Sequence, residues 1–222
     1  MIKAVIFDFN GTLFFDTEKH IEAWKEITTE LIGRPVTFEE HEQIKGRTTD
    51  LILEFFIGRK PSKQEADELA DRKEAAYRDL CRKDRKILHL AEGAEEFLDA
   101  LKAANIPMTV ATSSNEANVD FYFEEFGIGK WFKKELISFD DGTMKGKPAP
   151  DIYLRAAEKL GVDIADCVVF EDAVSGIASA RCAGAAKIYA VASATCPEVL
   201  SSEEGVTAVI SDYTQITADD IL

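Results

Sequence analysis

Short apolar runs rich in β-branched residues alternate along the chain with stretches in which apolar residues recur at helical spacing. The apolar runs predict strands at Lys3–Phe7, Met108–Ala111, Leu136–Ser138, Val168–Phe170, Lys187–Val191 and Ala208–Ile210. The periodic stretches predict helices near residues 93–104, 115–126, 150–160 and 173–183. Continuous apolar strands separated by helices are typical of a parallel sheet covered on both faces, so the pattern predicts an α/β fold.

Residues 16–86 interrupt this alternation, because they carry many charges and no convincing strand. Trp24 lies there among apolar positions at helical spacing, which favours a place in a small core, and residues 62–83 predict a long charged helix. The insertion follows the carboxyl end of the first strand, where open α/β sheets bind ligands, so we expect it to act as a lid. The expected domains are a core segment at residues 1–14, a helical cap domain at residues 15–86 and the rest of the core at residues 87–222.

Composition limits the classes of function. The chain has 222 residues, of which 46% are hydrophobic, so it is large enough for a real core. Its net charge of -15 opposes a nucleic acid or an anionic membrane as partner, because both require a basic surface. No apolar run approaches the roughly 18 residues of a membrane span, and no signal peptide is visible. We therefore expect a cytoplasmic monomer that meets an anionic ligand through local positive charge or a metal.

The cysteines are widely spaced and form no C-x-x-C pair. They are Cys81, Cys167, Cys182 and Cys196. This spacing favours reduced and mostly buried thiols over a metal site or a set of disulfides.

Polar side chains stand where several predicted strands end. They are Asp8 after the first strand, Thr112, Ser113 and Ser114 after the second, Glu171 and Asp172 after Val168–Phe170, and Lys147 in the segment KGKPAPD. The carboxyl ends of parallel strands point to one side of the sheet, so we expect these groups to converge in one crevice. Carboxylates, hydroxyls and a lysine suit phosphoryl transfer with Mg²⁺, and a carboxylate can itself become an acyl phosphate.

These residues resemble, in order and spacing, the four motifs of the haloacid dehalogenase-like superfamily. The motifs are Asp8-Phe9-Asn10-Gly11-Thr12-Leu13, Thr112, Lys147 and Glu171-Asp172. The helical insertion and the stretches GKPAPDIY and EDAVSGIASA are similar to the β-phosphoglucomutase-like branch. The resemblance covers essentially the whole chain. It implies a Rossmann-like parallel sheet with an inserted α-helical cap, and a Mg²⁺-dependent phosphatase that acts on a small phosphorylated metabolite through an aspartyl-phosphate.

The resemblance also implies roles for individual residues. Asp8 is the implied nucleophile. Thr112, Ser113 and Lys147 are the implied ligands of the phosphoryl oxygens, together with backbone N–H groups that follow Asp8. The implied Mg²⁺ ligands are Asp8, the backbone carbonyl of Asn10 and Asp172, with Glu171 as a direct or water-mediated neighbour.

The predicted cap contributes further candidates, which are His20, Gly46, Arg47, Thr48 and Lys73. Residues 46–48 are a candidate loop for substrate selection. His20 and Lys73 align with a histidine and a lysine that help to move the second residue of motif one in the mutase branch. Lys73 equally fits a solvated side chain on a charged helix.

Residue 10 departs from the family pattern. Phosphotransferase members have an aspartate there, which protonates the leaving oxygen and then deprotonates the attacking water or sugar hydroxyl. Asn10 donates a hydrogen bond but exchanges no proton at neutral pH, so we expect a loss of about 10²–10⁴ in rate. The backbone metal ligand and the nucleophile Asp8 do not depend on this side chain.

Asn10 leaves four functions open. The first is a phosphatase that is slow or restricted in substrate. The second is a phosphomutase, which His20 and Lys73 suggest. The rate of a phosphomutase would be lowered most by Asn10, because its reaction needs proton transfer twice. A 2-haloacid dehalogenase needs no aspartate at residue 10, but it also needs no metal pair such as Glu171-Asp172. The fourth is a catalytically weak protein that binds a phosphometabolite or regulates. An aspartate replaced in order to trap a complex would give the same sequence.

Overall fold

The computed structural model of the chain describes residues 2–44 and 49–221. Its five strands form one parallel sheet in the order β2-β1-β3-β4-β5. They are β1 (Ala4–Phe7), β2 (Met108–Val110), β3 (Cys167–Glu171), β4 (Lys187–Val191) and β5 (Val206–Ile210). The α/β prediction is confirmed, because the strands are parallel, helices lie between them in the chain, and every residue of β1 and β3 is buried.

One predicted strand is wrong. Residues 134–136 form a short 3₁₀ helix, and Ser138 makes only a single bridge to Ala111. The backbone of Ser138 donates to Val110 and accepts from Thr112, so the apolar run reaches the sheet edge for one residue. A short apolar run alone does not distinguish a strand from a buried connecting segment.

Helices pack on the two faces of this sheet. They are α5 (Ala94–Ala103), α6 (Glu116–Phe126), α7 (Asp151–Leu160), α8 (Val174–Ala183), α9 (Pro197–Ser202) and α10 (Ala218–Ile221). Neighbouring strand residues point to opposite faces, so Ile6 packs in an aliphatic cluster with Val169. Phe7 instead stacks on Phe170, with ring centroids 5.1 Å apart.

The strand register sets the position of the polar groups. Phe7 pairs with Val110 on one side and with Phe170 on the other. The next residue of each chain segment therefore lies at the same level of the sheet, at its carboxyl edge. Asp8 and Glu171 are brought side by side in this way.

Residues 16–88 form a helical unit with a core of their own. Contacts divide the chain into two compact units, Met1–Phe15 with His89–Leu222 and Asp16–Leu88. The second unit contains α1 (Thr17–Ile32), α2 (Phe38–Ile44), α3 (Thr49–Ile57) and α4 (Lys63–Lys83). Trp24 is buried in its core, as its helical spacing predicts. The predicted domain limits at residues 14/15 and 86/87 stay a prediction about which segments fold as domains.

The helix α4 begins with a complete capping box. The Ser62 side chain accepts from the Glu65 backbone N–H, and the Glu65 carboxylate accepts from the Ser62 backbone N–H. Two donors that a helix start leaves without partners are thereby satisfied. This cap fixes the start of the long charged helix that the sequence predicts.

No helix within residues 2–44 and 49–221 has the length and apolar character that crossing a membrane requires.

All the cysteines are free thiols, but only Cys81 and Cys167 are buried, whereas Cys182 and Cys196 are exposed. The expectation of mostly buried thiols is therefore wrong for half of them.

Candidate active site

Three buried carboxylates meet at the carboxyl edge of the sheet. Asp8 follows β1, Glu171 ends β3 and Asp172 comes next, and each has at most 6% of its surface exposed. One oxygen from each carboxylate lies within 4.8 Å of the oxygens from the other two. Such close like charges repel each other, so a cation among them would stabilise the ionised carboxylates.

Lys147 supplies positive charge to this cluster. Its Nζ lies 2.8 Å from Asp8 Oδ1 and also bonds Glu171 Oε1. The lysine side chain is only 6% exposed. Lys147 lies four residues before α7, so the proline-rich segment that leads into that helix carries the cation to the ends of β1 and β3.

Burial and neighbouring charges shift the pKa values of both Asp8 and Lys147. Burial raises the pKa of Asp8 well above its usual value; repulsion from Glu171 and Asp172 acts in the same direction, and Lys147 opposes it. Burial lowers the pKa of Lys147, but attraction to Asp8 and Glu171 outweighs this, so that pKa is raised overall. The lysine is therefore charged at neutral pH, and further positive charge beside Asp8 and Asp172 would stabilise their ionised forms.

We expect Lys147→Met to destabilise the metal-free protein. The substitution keeps much of the side-chain volume but leaves the carboxylates of Asp8 and Glu171 buried without their cation. Removing one partner of a buried ion pair costs about 3–5 kcal/mol in the free energy of unfolding. Urea denaturation in the presence of a chelator measures this.

Lys145→Met is the matched control, since Lys145 is exposed in the same segment. It should change the free energy of unfolding by less than about 0.5 kcal/mol. Equal effects of the two substitutions would contradict the stabilising role of Lys147.

The donor set fits Mg²⁺. All the side-chain ligands that the cluster offers are carboxylate oxygens, which hard divalent cations prefer. Gly11 allows its backbone to pass directly against the Asp172 carboxylate, since a Cβ built there would overlap it. Gly176 does the same beside Glu171. The backbone after Asp8 therefore passes close to the Asp172 carboxylate.

We expect Gly11→Ala to lower the affinity for Mg²⁺ by at least about tenfold, because displacing a group that orients a metal ligand typically costs about 10–100-fold in affinity. Gly11 has φ of 76°, so the substitution also introduces backbone strain. Gly161→Ala is the matched control, since Gly161 has φ of 71° and nothing within 4 Å of the added Cβ. Calorimetric titration with Mg²⁺ measures the difference, and equal affinities in the two variants would contradict the account.

The second motif lies beside this cluster. Thr112 follows β2, is 1% exposed, and its Oγ1 accepts from the Ser114 backbone N–H at 3.1 Å. Ser113 is exposed. Asn115 caps α6 by accepting from the Asn118 backbone N–H, so the run that carries Thr112 also starts a helix. Hydroxyl and helix N-terminal donors here suit an anion.

Asn10 is held by two hydroxyl groups. Its Oδ1 lies 2.8 Å from Ser114 Oγ and 2.8 Å from Tyr122 Oη, and the two hydroxyl oxygens are 2.8 Å apart. Tyr122 is 1% exposed and its ring stacks on Phe9 at a centroid distance of 3.8 Å. The side chain of residue 10 is therefore tied to motif two and to α6.

Three residues around the site were not predicted from the sequence. Tyr122 is one; the others are Tyr153 and Arg155 on α7. Tyr153 donates to Glu171 Oε1 at 2.9 Å and is fully buried. Arg155 bonds Ser138 Oγ, the Phe139 carbonyl and Asp141 Oδ2, which fixes the segment that bonds the backbone of Thr112. A signal for Tyr153 existed, since it lies in the quoted stretch GKPAPDIY.

The helical unit of residues 16–88 holds the predicted cap residues. Lys73 Nζ lies 2.7 Å from His20 Nδ1 and 2.8 Å from Glu74 Oε1. His20 stacks on Tyr77, and its Nε2 lies 3.3 Å from Asp16 Oδ2. Lys73 is only 6% exposed, so the alternative of a solvated lysine is wrong. Gly46, Arg47 and Thr48 lie outside the described residues.

Comparisons with known proteins agree with this arrangement. A family model described as haloacid dehalogenase-like hydrolase matches residues 2–184. A phosphorylated carbohydrates phosphatase from Thermotoga maritima is 30% identical, over 86% of this chain and 85% of its own length. A β-phosphoglucomutase from Bacillus subtilis is 35% identical, over 82% of this chain and 80% of its own length.

A solved structure shows the same fold over nearly the whole chain. It is a HAD hydrolase of family IA, variant 3, from Entamoeba histolytica, with a TM-score of 0.92 and 40% sequence identity. It covers 99% of this chain, and 97% of that chain is covered in turn. The family match extends through all four motifs, from Asp8 to Asp172. The chain therefore belongs to the haloacid dehalogenase-like hydrolases, with a Rossmann-like parallel sheet and an inserted helical cap.

Proposed function

We propose that this protein is a Mg²⁺-dependent phosphatase that transfers the phosphoryl group of a small phosphorylated metabolite to Asp8 and then to water. The observation that carries the proposal is the buried cluster of Asp8, Glu171 and Asp172 around Lys147. A carboxylate nucleophile, a lysine and metal-binding carboxylates are the components that phosphoryl transfer through an acyl phosphate requires. The relatives that are named as phosphatases support the same reaction class.

In the first half of the reaction, a carboxylate oxygen of Asp8 forms a bond to phosphorus while the ester P–O bond breaks. Lys147 and the Thr112 hydroxyl offset the charge on the phosphoryl oxygens, with Ser113 beside them. In the second half, water attacks the phosphorus, phosphate leaves and the Asp8 carboxylate is restored. Asn10 neither protonates the leaving oxygen nor takes the proton from water, so both protons pass to and from solvent.

Asp8, Asp172 and the backbone carbonyl of Asn10 would hold the metal, with Glu171 as its direct or water-mediated neighbour. When bound, Mg²⁺ supplies positive charge that neutralises the transferring phosphoryl group. Glu171 also bonds Lys147 and Tyr153, so its position is fixed by protein contacts independently of a metal.

The proposed substrate class rests on the names of two relatives. Two curated relatives are named for phosphorylated carbohydrates and for fructose 1-phosphate, which supports a small sugar phosphate. Gly46, Arg47 and Thr48 stay predictions as residues that select the substrate. A cytoplasmic location, a monomeric state and the lack of nucleic-acid or membrane partners also stay predictions from composition and charge.

A phosphomutase is the second candidate, and the contact between His20 and Lys73 favours it. A lysine ammonium at 2.7 Å from Nδ1 fixes the tautomer that carries the proton on Nε2. A named β-phosphoglucomutase among the relatives supports this candidate. It predicts that a sugar phosphate is isomerised only when a sugar bisphosphate is added as activator. Hydrolysis without isomerisation under these conditions would remove it.

The test of the phosphatase is a panel of phosphoesters, assayed with Mg²⁺ and with a chelator. It should include sugar phosphates and an aryl phosphate, because Asn10 limits the rate least when the leaving group needs no proton. We expect Mg²⁺-dependent phosphate release that is fastest for the aryl ester. Release no greater than that of the Asp8→Asn variant would contradict the proposal.

Two other outcomes identify the remaining alternatives. Halide release from a 2-haloacid would indicate a dehalogenase. Metal-dependent binding of phosphate in a calorimeter, without turnover of any ester, would indicate a phosphometabolite-binding protein.

A further inference from the structure

The triangle of Asn10, Ser114 and Tyr122 joins three parts of the site. The three oxygens lie 2.8 Å from one another, and the two hydroxyl protons allow two hydrogen bonds among them at a time. Asn10 belongs to motif one, Ser114 to the loop of motif two and Tyr122 to α6. None of the four motifs requires Tyr122.

The two hydroxyl groups suit an acceptor at residue 10. A hydroxyl carries one proton, so Ser114 and Tyr122 can together donate two hydrogen bonds to an oxygen between them. A carboxylate oxygen accepts both, and hydrogen bonds to an ionised acceptor are the strong ones. An amide oxygen accepts the same pair with less energy. The two donors that contact Asn10 are therefore ones that a carboxylate could also use.

Tyr122 and Ser114 are also held by contacts with residues other than residue 10. The Tyr122 ring is stacked on Phe9 at an interplanar angle of 16°, and its side chain is 1% exposed. Ser114 donates its backbone N–H to Thr112 Oγ1, and its carbonyl accepts from the Asp140 backbone N–H. The Tyr122 hydroxyl cannot move far from residue 10 without breaking the ring stacking, and the backbone bonds of Ser114 keep its Cα beside residue 10.

We propose that Tyr122 and Ser114 are positioning residues that hold the side chain of residue 10 for the proton-transfer role it would have as an acid. The proposal rests on the phosphatase function argued above. Neither hydroxyl is proposed to touch the substrate. With asparagine at residue 10 the pair holds a group that moves no proton, so its effect on rate becomes visible when the acid is present.

The test is a double-mutant cycle between Asn10→Asp and Tyr122→Phe. The phenylalanine keeps the stacking on Phe9 and removes only the hydroxyl. We expect the gain in kcat from Asn10→Asp to shrink by about tenfold in the Tyr122→Phe background, as the loss of one hydrogen bond to a charged group predicts. KM should stay within about twofold, because the hydroxyl makes no substrate contact. The same gain in both backgrounds would overturn the proposal.

Tyr189→Phe is the matched control. Tyr189 is a buried tyrosine that stacks on Phe170 and donates to the Asp220 carbonyl, away from the site. Loss of its hydroxyl should leave the gain from Asn10→Asp unchanged. A reduced gain in this control would mean that any lost core hydroxyl disturbs the site, and would overturn the specific role of Tyr122.

A second measurement does not depend on activity. In protein labelled with ¹⁵N-asparagine, the heteronuclear NOE of the Asn10 side-chain amide reports how firmly it is held. We expect that value to fall in Tyr122→Phe and in Ser114→Ala but not in Tyr189→Phe. An unchanged value in the first two variants would overturn the positioning role. If no variant hydrolyses any phosphoester, the proposed function fails while the NMR comparison still decides whether the hydroxyl pair holds residue 10.

Discussion

Asp8→Asn should lower kcat/KM for phosphoester hydrolysis by at least about 10³-fold, since it removes the nucleophile rather than a residue that assists it. The isosteric amide keeps the shape of the side chain beside Lys147. It cannot form an acyl phosphate. The assay is Mg²⁺-dependent phosphate release from the best ester of the panel.

The same substitution should leave stability unchanged or higher. Burial and the charges of Glu171 and Asp172 already disfavour ionised Asp8, so removing that charge relieves repulsion. Lys147 retains its bond to Glu171. Urea denaturation of the metal-free protein should therefore show no loss in the free energy of unfolding, which separates loss of chemistry from loss of fold.

Asp120→Asn is the control for Asp8→Asn. Asp120 is a half-exposed carboxylate on α6 that pairs with Lys134 at the surface. Surface pairs contribute about 0–1 kcal/mol, so this variant should retain full activity and near-normal stability. Residual activity of Asp8→Asn within tenfold of the parent would contradict the role of Asp8.

Asn10→Asp should raise the rate of phosphoester hydrolysis by about 10²–10⁴, which is the usual contribution of a positioned general acid and base. The donors for the new carboxylate are already present, since Ser114 and Tyr122 both point at the residue-10 side chain. The gain should be largest for alkyl esters, whose leaving oxygen needs the proton most. An aryl phosphate should gain less.

Asn105→Asp is the matched control for Asn10→Asp. Asn105 is exposed in a loop, so the same change in charge there should leave the rate unaltered. A rate that stays the same or falls in Asn10→Asp would mean that the site has adapted to the amide. The account of the lost proton-transfer step would then be wrong, although the role of Asp8 would not be affected.

The features that could be predicted from the sequence are those that local patterns determine. Strand ends follow from apolar runs, and the parallel sheet then brings Asp8 close to Glu171 and Asp172 because their strands are neighbours in register. The motif spacing also indicated the family. The convergence of the carboxylates and the family could both be inferred because these residues stand at fixed places relative to the strands that carry them. Neither inference needed the contacts between distant side chains.

The remainder of the site depends on contacts between distant segments. Tyr122 reaches Asn10 across 112 positions of sequence, and nothing in the helical pattern around Tyr122 distinguishes it from a core aromatic residue. Lys73 could not be separated from a solvated lysine, because its burial depends on the contacts with His20 and Glu74. Leu136–Ser138 looked like a strand because a short apolar run also fits a buried connecting segment.

Phosphoryl transfer to Asp8 can be observed directly, as a phosphoryl group on that residue. The protein is mixed with ³²P-labelled acetyl phosphate and Mg²⁺, quenched in acid at successive times and digested for peptide analysis. Because Asn10 does not activate water, we expect label to accumulate to about one phosphoryl group per chain, in the peptide that contains Asp8 and in a form cleaved by hydroxylamine. The Asp8→Asn variant should acquire none. Release of labelled phosphate with no labelled protein at any time, or equal labelling of Asp8→Asn, would contradict the account.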